Sequence, residues 1–177
     1  EYGKGQGYQT IEDVDALVVS HFLRQFFYTG SAAFPEEIEK GIISNDYGMP
    51  FDFDPYMDVQ DKAICVNGNF YGLNRVTMPF LFSSVIGDAF ASKNYRMFLY
   101  MLDLSGLLRS FASTQTQFTV LMPSDTQLAA NDYWLQSQLV GNKLMYENPR
   151  PSDPENPHEP VTASTALPIV NIHTALD

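Results

Sequence analysis

Cysteine is nearly missing from this chain. Cys65 stands alone among 177 residues, so no disulfide can close within the sequence. In the run Ala63-Ile64-Cys65-Val66 it reads as a buried small hydrophobe rather than a reactive thiol. Basic residues are scarce too: 10 Lys and Arg face 21 Asp and Glu, giving a formal charge of −11. A surface of that sign repels phosphate backbones and argues against nucleic acid as a partner. It favours solubility and attracts cations or basic partners. Long apolar runs are missing as well. A membrane-spanning helix needs about 20 apolar residues, and the longest candidate, Met78 to Ala91, is cut by Gly87 and Asp88. No Gly-x-Ser-x-Gly elbow, phosphate loop or Cys/His metal spacing occurs. The chain opens Glu1-Tyr2-Gly3-Lys4 with neither an initiator Met nor a signal peptide, and so reads as an internal or processed piece. A removed signal or lipid anchor would leave no trace in it.

What is present suffices for a core. Apolar residues make up 45% of the chain, with 13 Phe and 10 Tyr, which is not a disordered composition. The length suits one ordinary domain or parts of two. The first nine residues read as a polar, Gly-rich loop. Thr10 to Asp13 resembles a capping box, and Ile11, Val14, Leu17, Val18, His21, Phe22 and Phe26 follow at helical spacing. The pattern predicts a helix over about 11–28, ending before Gly30. Pro35 predicts a short helix start, and Asn45-Asp46-Tyr47-Gly48 a turn. Two strands are expected at Ala63–Val66 and Asn69–Val76, joined at Asn67-Gly68. A second long helix should follow Ser92-Lys93-Asn94 and break at Ser105-Gly106. Phe118 to Met122 predicts a short buried strand stopped by Pro123, with Ser124-Asp125 capping a short helix beyond it. Five prolines between 147 and 160 predict an extended surface segment without a packed element. The stretch from Pro168 to Ala175 reads as a short apolar helix.

Several residues are candidates for chemistry. Asp52, Asp54, Asp58 and Asp61 form an acidic cluster. The first three fall at positions 1, 3 and 7 of a calcium loop, but Met57 stands where Gly is required and Ala63 where the bidentate Glu belongs. An EF-hand is therefore excluded, leaving a solvated acidic loop or a looser calcium site. Asp52 and Asp54 are also the nearest approach to a glycosidase carboxylate pair, on proximity alone. Tyr133-Trp134 contains the only Trp, which either fills a core or stacks on a sugar ring. His21 and His173 lie on apolar faces and are expected to be structural, hydrogen-bonded residues. Leu17-Val18-Val19-Ser20-His21 echoes Ile169-Val170-Asn171-Ile172-His173, each with a His after an aliphatic run.

One family ties these segments together. Tyr95 to Leu102, then Ser105-Gly106-Leu107-Leu108, then Phe118-Thr119-Val120-Leu121-Met122-Pro123-Ser124-Asp125 resembles the opening of a fasciclin domain. His173 falls where the second fasciclin signature belongs. Residues Ile64 to Gly68, closing at Pro79, resemble the strand and terminal Pro of a fasciclin C-terminal half, and His21 its His signature. The resemblance implies an α+β fold, a β-wedge or sandwich with flanking short helices. It implies that 1–79 is the C-terminal half of one domain and 80–177 the N-terminal half of the next, with a Pro-rich insertion at about 147–160. A fragment of a longer tandem protein is preferred over two halves packed as one permuted unit. Its structural signature residues here are His21, His173, Phe118, Thr119, Pro123 and Asp125. Asn69 to Asn74 and Leu81 to Val85 are similar to tandem fasciclin lipoproteins of Bacteroidota. That likeness implies a non-enzymatic cell-surface adhesion module without cofactor, with other surface or outer-membrane proteins as partners. A TonB-dependent transporter with its surface lipoprotein is the implied neighbour, and glycan binding the alternative. Ser20 before His21, Ile172 before His173 and the lack of Arg-Gly-Asp depart from the integrin-binding pattern of some animal members.

Overall fold

The structure, a computed structural model, describes residues 8–29, 32–113, 116–139 and 141–176. The expected loop at residues 1–7 and the helix stop at Gly30 lie outside them. The fold is an α+β mixture of short helices and small antiparallel sheets. Two compact units divide the chain: His21–Phe80, and a larger one made of residues up to Ser20 together with Leu81 onward.

The expected helix over 11–28 is two pieces. Ile11–Asp13 is one turn of 3-10 helix, with the Thr10 amide donating to Asp13 as the capping box requires (3.3 Å). Val14 is extended, and helix α1 runs only from Ala16 to Arg24. Asp15 causes the restart: its carboxylate accepts from the Leu17 amide at 2.9 Å, as an N-cap does.

In the His21–Phe80 unit, α2 (Pro35–Glu39) begins on its proline as expected. The Asn45 turn forms, with Gly48 N–H donating to the Asn45 carbonyl at 2.9 Å. Strands β1 (Val59–Cys65) and β2 (Gly68–Leu73) pair as an antiparallel hairpin. The turn is displaced by one residue from the expected Asn67-Gly68 centre. Cys65 pairs with Gly68, so Val66 and Asn67 form the turn and Gly68 opens β2. Cys65 is exposed, correcting the expectation of burial. The run Ala63–Val66 is apolar, but among the described residues the sheet has two strands, and Gln60 to Cys65 all face solvent.

The larger unit is built on α4 (Arg96–Ser105), preceded by the single turn α3 (Gly87–Phe90). Met97 to Leu102 are all buried, with Phe98, Met101 and Leu102 fully so. Helix α4 ends at Gly106 in a left-handed conformation (φ 77°), and a 3-10 segment Leu107–Ala112 follows, as the Ser105-Gly106 break predicts. Strand β3 (Phe118–Val120) is half-buried rather than buried, with Thr119 and Leu121 exposed. Among the described residues β7 (Thr174–Leu176) is the one strand that pairs with it. Ser124 caps α5 (Asp125–Ala129), exchanging bonds with Gln127. Strands β4 (Tyr133–Ser137), β5 (Asn142–Glu147) and β6 (His158–Pro160) form a three-stranded sheet. Strand β6 corrects the Pro-rich expectation: Pro160 lacks an N–H, but as the last residue of an edge strand it costs the ladder little. Helix α6 (Ala163–Ile172) starts five residues before the predicted Pro168, capped at Thr162. It carries Pro168 inside, and its buried Ala166 and Val170 belong to the core.

Candidate functional site

The acidic loop of the His21–Phe80 unit borders an open hollow of about 390 Å³. Ile38, Pro50, Phe51, Phe53 and Pro55 give it apolar walls, and Glu39, Asp52, Asp54, Asp58 and Arg75 give it polar ones. The Phe53 ring touches Phe51 and Tyr71, with centroids 5.9 and 6.2 Å away. Two of the carboxylates are committed to the loop itself. Asp54 accepts from the amides of Tyr56 and Met57 at 2.8 and 3.0 Å. Asp58 accepts from the Asp54 amide and pairs with the Arg75 guanidinium, both at 2.9 Å. Arg75 also donates to the Asp52 carbonyl at 3.0 Å. The Arg75 hydrogen bond, then that of the Asp54 amide, holds the Asp58 carboxyl below the ordinary aspartate range. Asp61 lies apart, in β1. Among the described residues no group of three or more His, Cys, Asp or Glu side chains is arranged to hold a metal ion. The sequence marked the acids but not their partners. Arg75 was legible as the only base between Lys62 and Lys93.

Tyr133 and Trp134 occupy opposite faces of β4, as neighbours in a strand must. Tyr133 is paired with Tyr146 and stacked on it at 5.9 Å, on the face that carries the buried Leu144. Burial pushes its hydroxyl up from the ordinary tyrosine value. Trp134 lies on the other face, paired with Met145, which pairs in turn with Pro160. The imidazole of His158 meets the indole edge-to-face at 5.0 Å. Gln136, Lys143 and His158 on this face are exposed, while Trp134 and Met145 are half-buried. Trp134 therefore neither fills the core nor stands free.

The residues singled out in the larger unit make separate contacts. Asp125 accepts the Met97 amide at 2.8 Å and so caps α4, while its own amide donates to the Asn94 carbonyl. Its second carboxylate oxygen lies 3.5 Å from Arg96 Nε, too poorly aligned for a hydrogen bond, so this is a charge contact only. Burial, outweighing those favourable contacts, raises the Asp125 carboxyl above the usual range. Past β3, the Leu121 amide donates to the His173 carbonyl at 2.8 Å. The His173 ring meets Phe98 edge-on at 5.8 Å, and its Nδ1–H donates to the Ile169 carbonyl at 2.7 Å. Phe118 packs on Phe111 at 4.7 Å, Thr119 points to solvent and Pro123 stands between β3 and the Ser124 cap. In the other unit His21 is buried and its Nδ1 is hydrogen-bonded to the Tyr47 hydroxyl. The two echoed histidines thus have different partners, one a side chain and one its own helix.

Asp15 is the polar centre that sequence reasoning missed. It is 7% exposed and holds the Tyr100 hydroxyl and the Asn142 amide, each at 2.8 Å. Its signal was an Asp directly before an apolar helical run, obscured by the continuous pattern from Ile11. No helix among the described residues is long and apolar enough to cross a membrane. Comparison with protein-family models, with curated proteins and with solved structures gives no match to this chain.

Proposed function

We propose that this chain is a fasciclin-type, non-enzymatic binding module that makes protein–protein contacts in an extracellular or outer-membrane assembly. The observation that carries the reading is the meeting of the motif segments. The segments holding Met97-Phe98, Leu121 to Asp125 and His173 are separated in sequence, yet Asp125 bonds Met97, Leu121 bonds His173 and His173 packs on Phe98. Under this reading residues 1–79 and 80–177 are successive half-domains of β-wedge type, with the segment up to Ser20 packed with Leu81 onward. The protein is a surface lipoprotein, neighbour to a TonB-dependent transporter and its lipoprotein. A binding role also suits the acidic loop, whose Asp54 and Asp58 carboxylates hold backbone and Arg75 instead of facing each other across a cleft. The acid-rimmed hollow and the charge of −11 favour a basic protein surface as partner. The test is a pull-down of the intact protein from detergent-solubilised membranes of its native source, read by mass spectrometry. Recovery with a transporter and its lipoproteins supports the assembly reading; recovery alone defeats it.

One observation favours glycan binding as a second reading: a half-exposed Trp134 ringed by Gln136, Lys143 and His158 on one sheet face. Trp134 is the only Trp, so its emission reports on that face alone. Titration with a panel of soluble oligosaccharides should shift the emission saturably, and the response should vanish in His158→Ala if the ring pair forms the platform. An unchanged spectrum across the panel removes this reading.

A further inference from the structure

We propose that Asn67 is a site of spontaneous deamidation, which ages the β1–β2 hairpin. Asn67 is the only Asn in the chain followed by Gly. It is exposed in the turn, and its side chain makes no hydrogen bond among the described residues. The amides of Asn69, Asn74 and Asn131, by contrast, donate to backbone carbonyls at 2.7, 3.2 and 2.9 Å. Gly68 has φ +152°, and a Cβ built there would meet nothing within 4 Å. No side chain on Gly68 hinders attack by its nitrogen, and glycine gives that backbone its greatest freedom to rotate.

The chemistry needs only water. The Gly68 backbone nitrogen attacks Cγ of Asn67 and loses its proton to solvent. The N–Cγ bond forms, the Cγ–Nδ2 bond breaks, and Nδ2 leaves as ammonia. Water then opens the cyclic imide. Attack at Cγ restores the normal backbone and leaves an ordinary aspartate side chain; attack at the main-chain carbonyl routes the backbone through Cγ as isoaspartate. No electron is gained or lost. Either product adds a negative charge, and isoaspartate adds a methylene to the main chain inside a two-residue turn. The register that pairs Cys65 with Gly68 then has one backbone atom too many. Among the described residues two strands make this sheet, and Gln60 to Cys65 of β1 are exposed, so β1 keeps its register through the ladder and the turn while β2 is tied to Ala33 by Asn69 and Tyr71.

The full chain is incubated at body temperature and mildly alkaline pH. Aliquots are peptide-mapped and labelled with an isoaspartyl methyltransferase. Asn67 should convert ahead of every other Asn, giving both aspartate and isoaspartate. Gly68→Ala should slow it about tenfold, equivalent to ~1.4 kcal/mol of added barrier. Conversion of another Asn first, or an equal rate in Gly68→Ala, overturns the site. A second variant guards against a turn that Ala disturbs. In Asn67→Gln the longer side chain disfavours ring closure, so position 67 should stay unmodified and the β1 and β2 amides should keep their hydrogen-exchange protection through the incubation. Equal loss of protection in that variant overturns the link between deamidation and hairpin opening.

Discussion

Asp125 offers a test in which magnitude and sign can be separated. Replacing it with Ala removes the acceptor for the Met97 amide at the start of α4 and the charge contact to Arg96. The first loss costs about 2 kcal/mol, as helix-capping carboxylates do. The second adds little, because the Arg96 side chain is 40% exposed. For a unit of this size, with an unfolding entropy of about 2.1 cal/mol/K per residue, the sum lowers Tm by about 8 °C. Asp125→Asn keeps an acceptor and should recover more than half of that. The pH dependence is the sharper arm. Burial raises the folded carboxyl above its ordinary value of 3.8, so the folded state binds this proton more readily than the unfolded one. Asp125 then contributes most below pH about 4, and its contribution falls as pH rises through the elevated folded value. Asn carries no such proton. The advantage of the native protein over Asp125→Asn, measured by thermal unfolding followed by circular dichroism, should therefore shrink from pH about 4 toward neutrality. An advantage that grows over this window would mean that Arg96 and the Met97 amide outweigh desolvation, and would refute the reasoning.

Two further outcomes follow from other parts of the fold. Gly87→Ala should destabilise the larger unit by about 3 kcal/mol, at the top of the overpacking range. Its Cβ would collide with the Phe82 carbonyl oxygen, between fully buried Leu81 and Ile86, and chemical denaturation checks the loss. In the acidic loop, Asp58 has a lowered carboxyl value, so its contribution is present above the unfolded value and is lost as pH falls through the folded one. The protection factor of the Asp54 amide, which donates to Asp58, should fall on acidification once the intrinsic exchange rate at each pH is divided out, and should do so at higher pH in Arg75→Met.

Local chemistry was the most legible part of the sequence. Pro35, the Asn45 turn, the Gly106 stop and the Ser124 cap each act within four residues of themselves, and each is where its local chemistry requires. Burial was much less legible. Ala63–Val66 and Leu121 have core composition and face solvent, because burial depends on what another segment places over a strand. Composition also misjudged the Pro-rich segment. Strand β6 needs only three residues beside Met145 to Glu147, and prolines on either side do not prevent that.

Asp15 shows why the join between distant segments could not be read from the chain. The residues up to Ser20 belong with Leu81 onward, leaving His21–Phe80 as a unit of its own. A buried carboxylate is costly unless its oxygens are filled, and Asp15 fills them with Tyr100 from α4, Asn142 from β5 and the Leu17 amide beside it. Desolvation first, then the bond to Asp15, drives the Tyr100 hydroxyl far above the ordinary tyrosine value, so this hydroxyl keeps its proton and donates at neutral pH. The pairings span 85 and 127 residues. Nothing in the immediate neighbourhood of Asp15 names Tyr100 or Asn142 as partners, since both are ordinary surface-capable residues by type. What the sequence does display is the N-cap position itself. A carboxylate in that position already satisfies one oxygen locally, which lowers the cost of burying it and frees the other lone pairs to recruit partners from far along the chain.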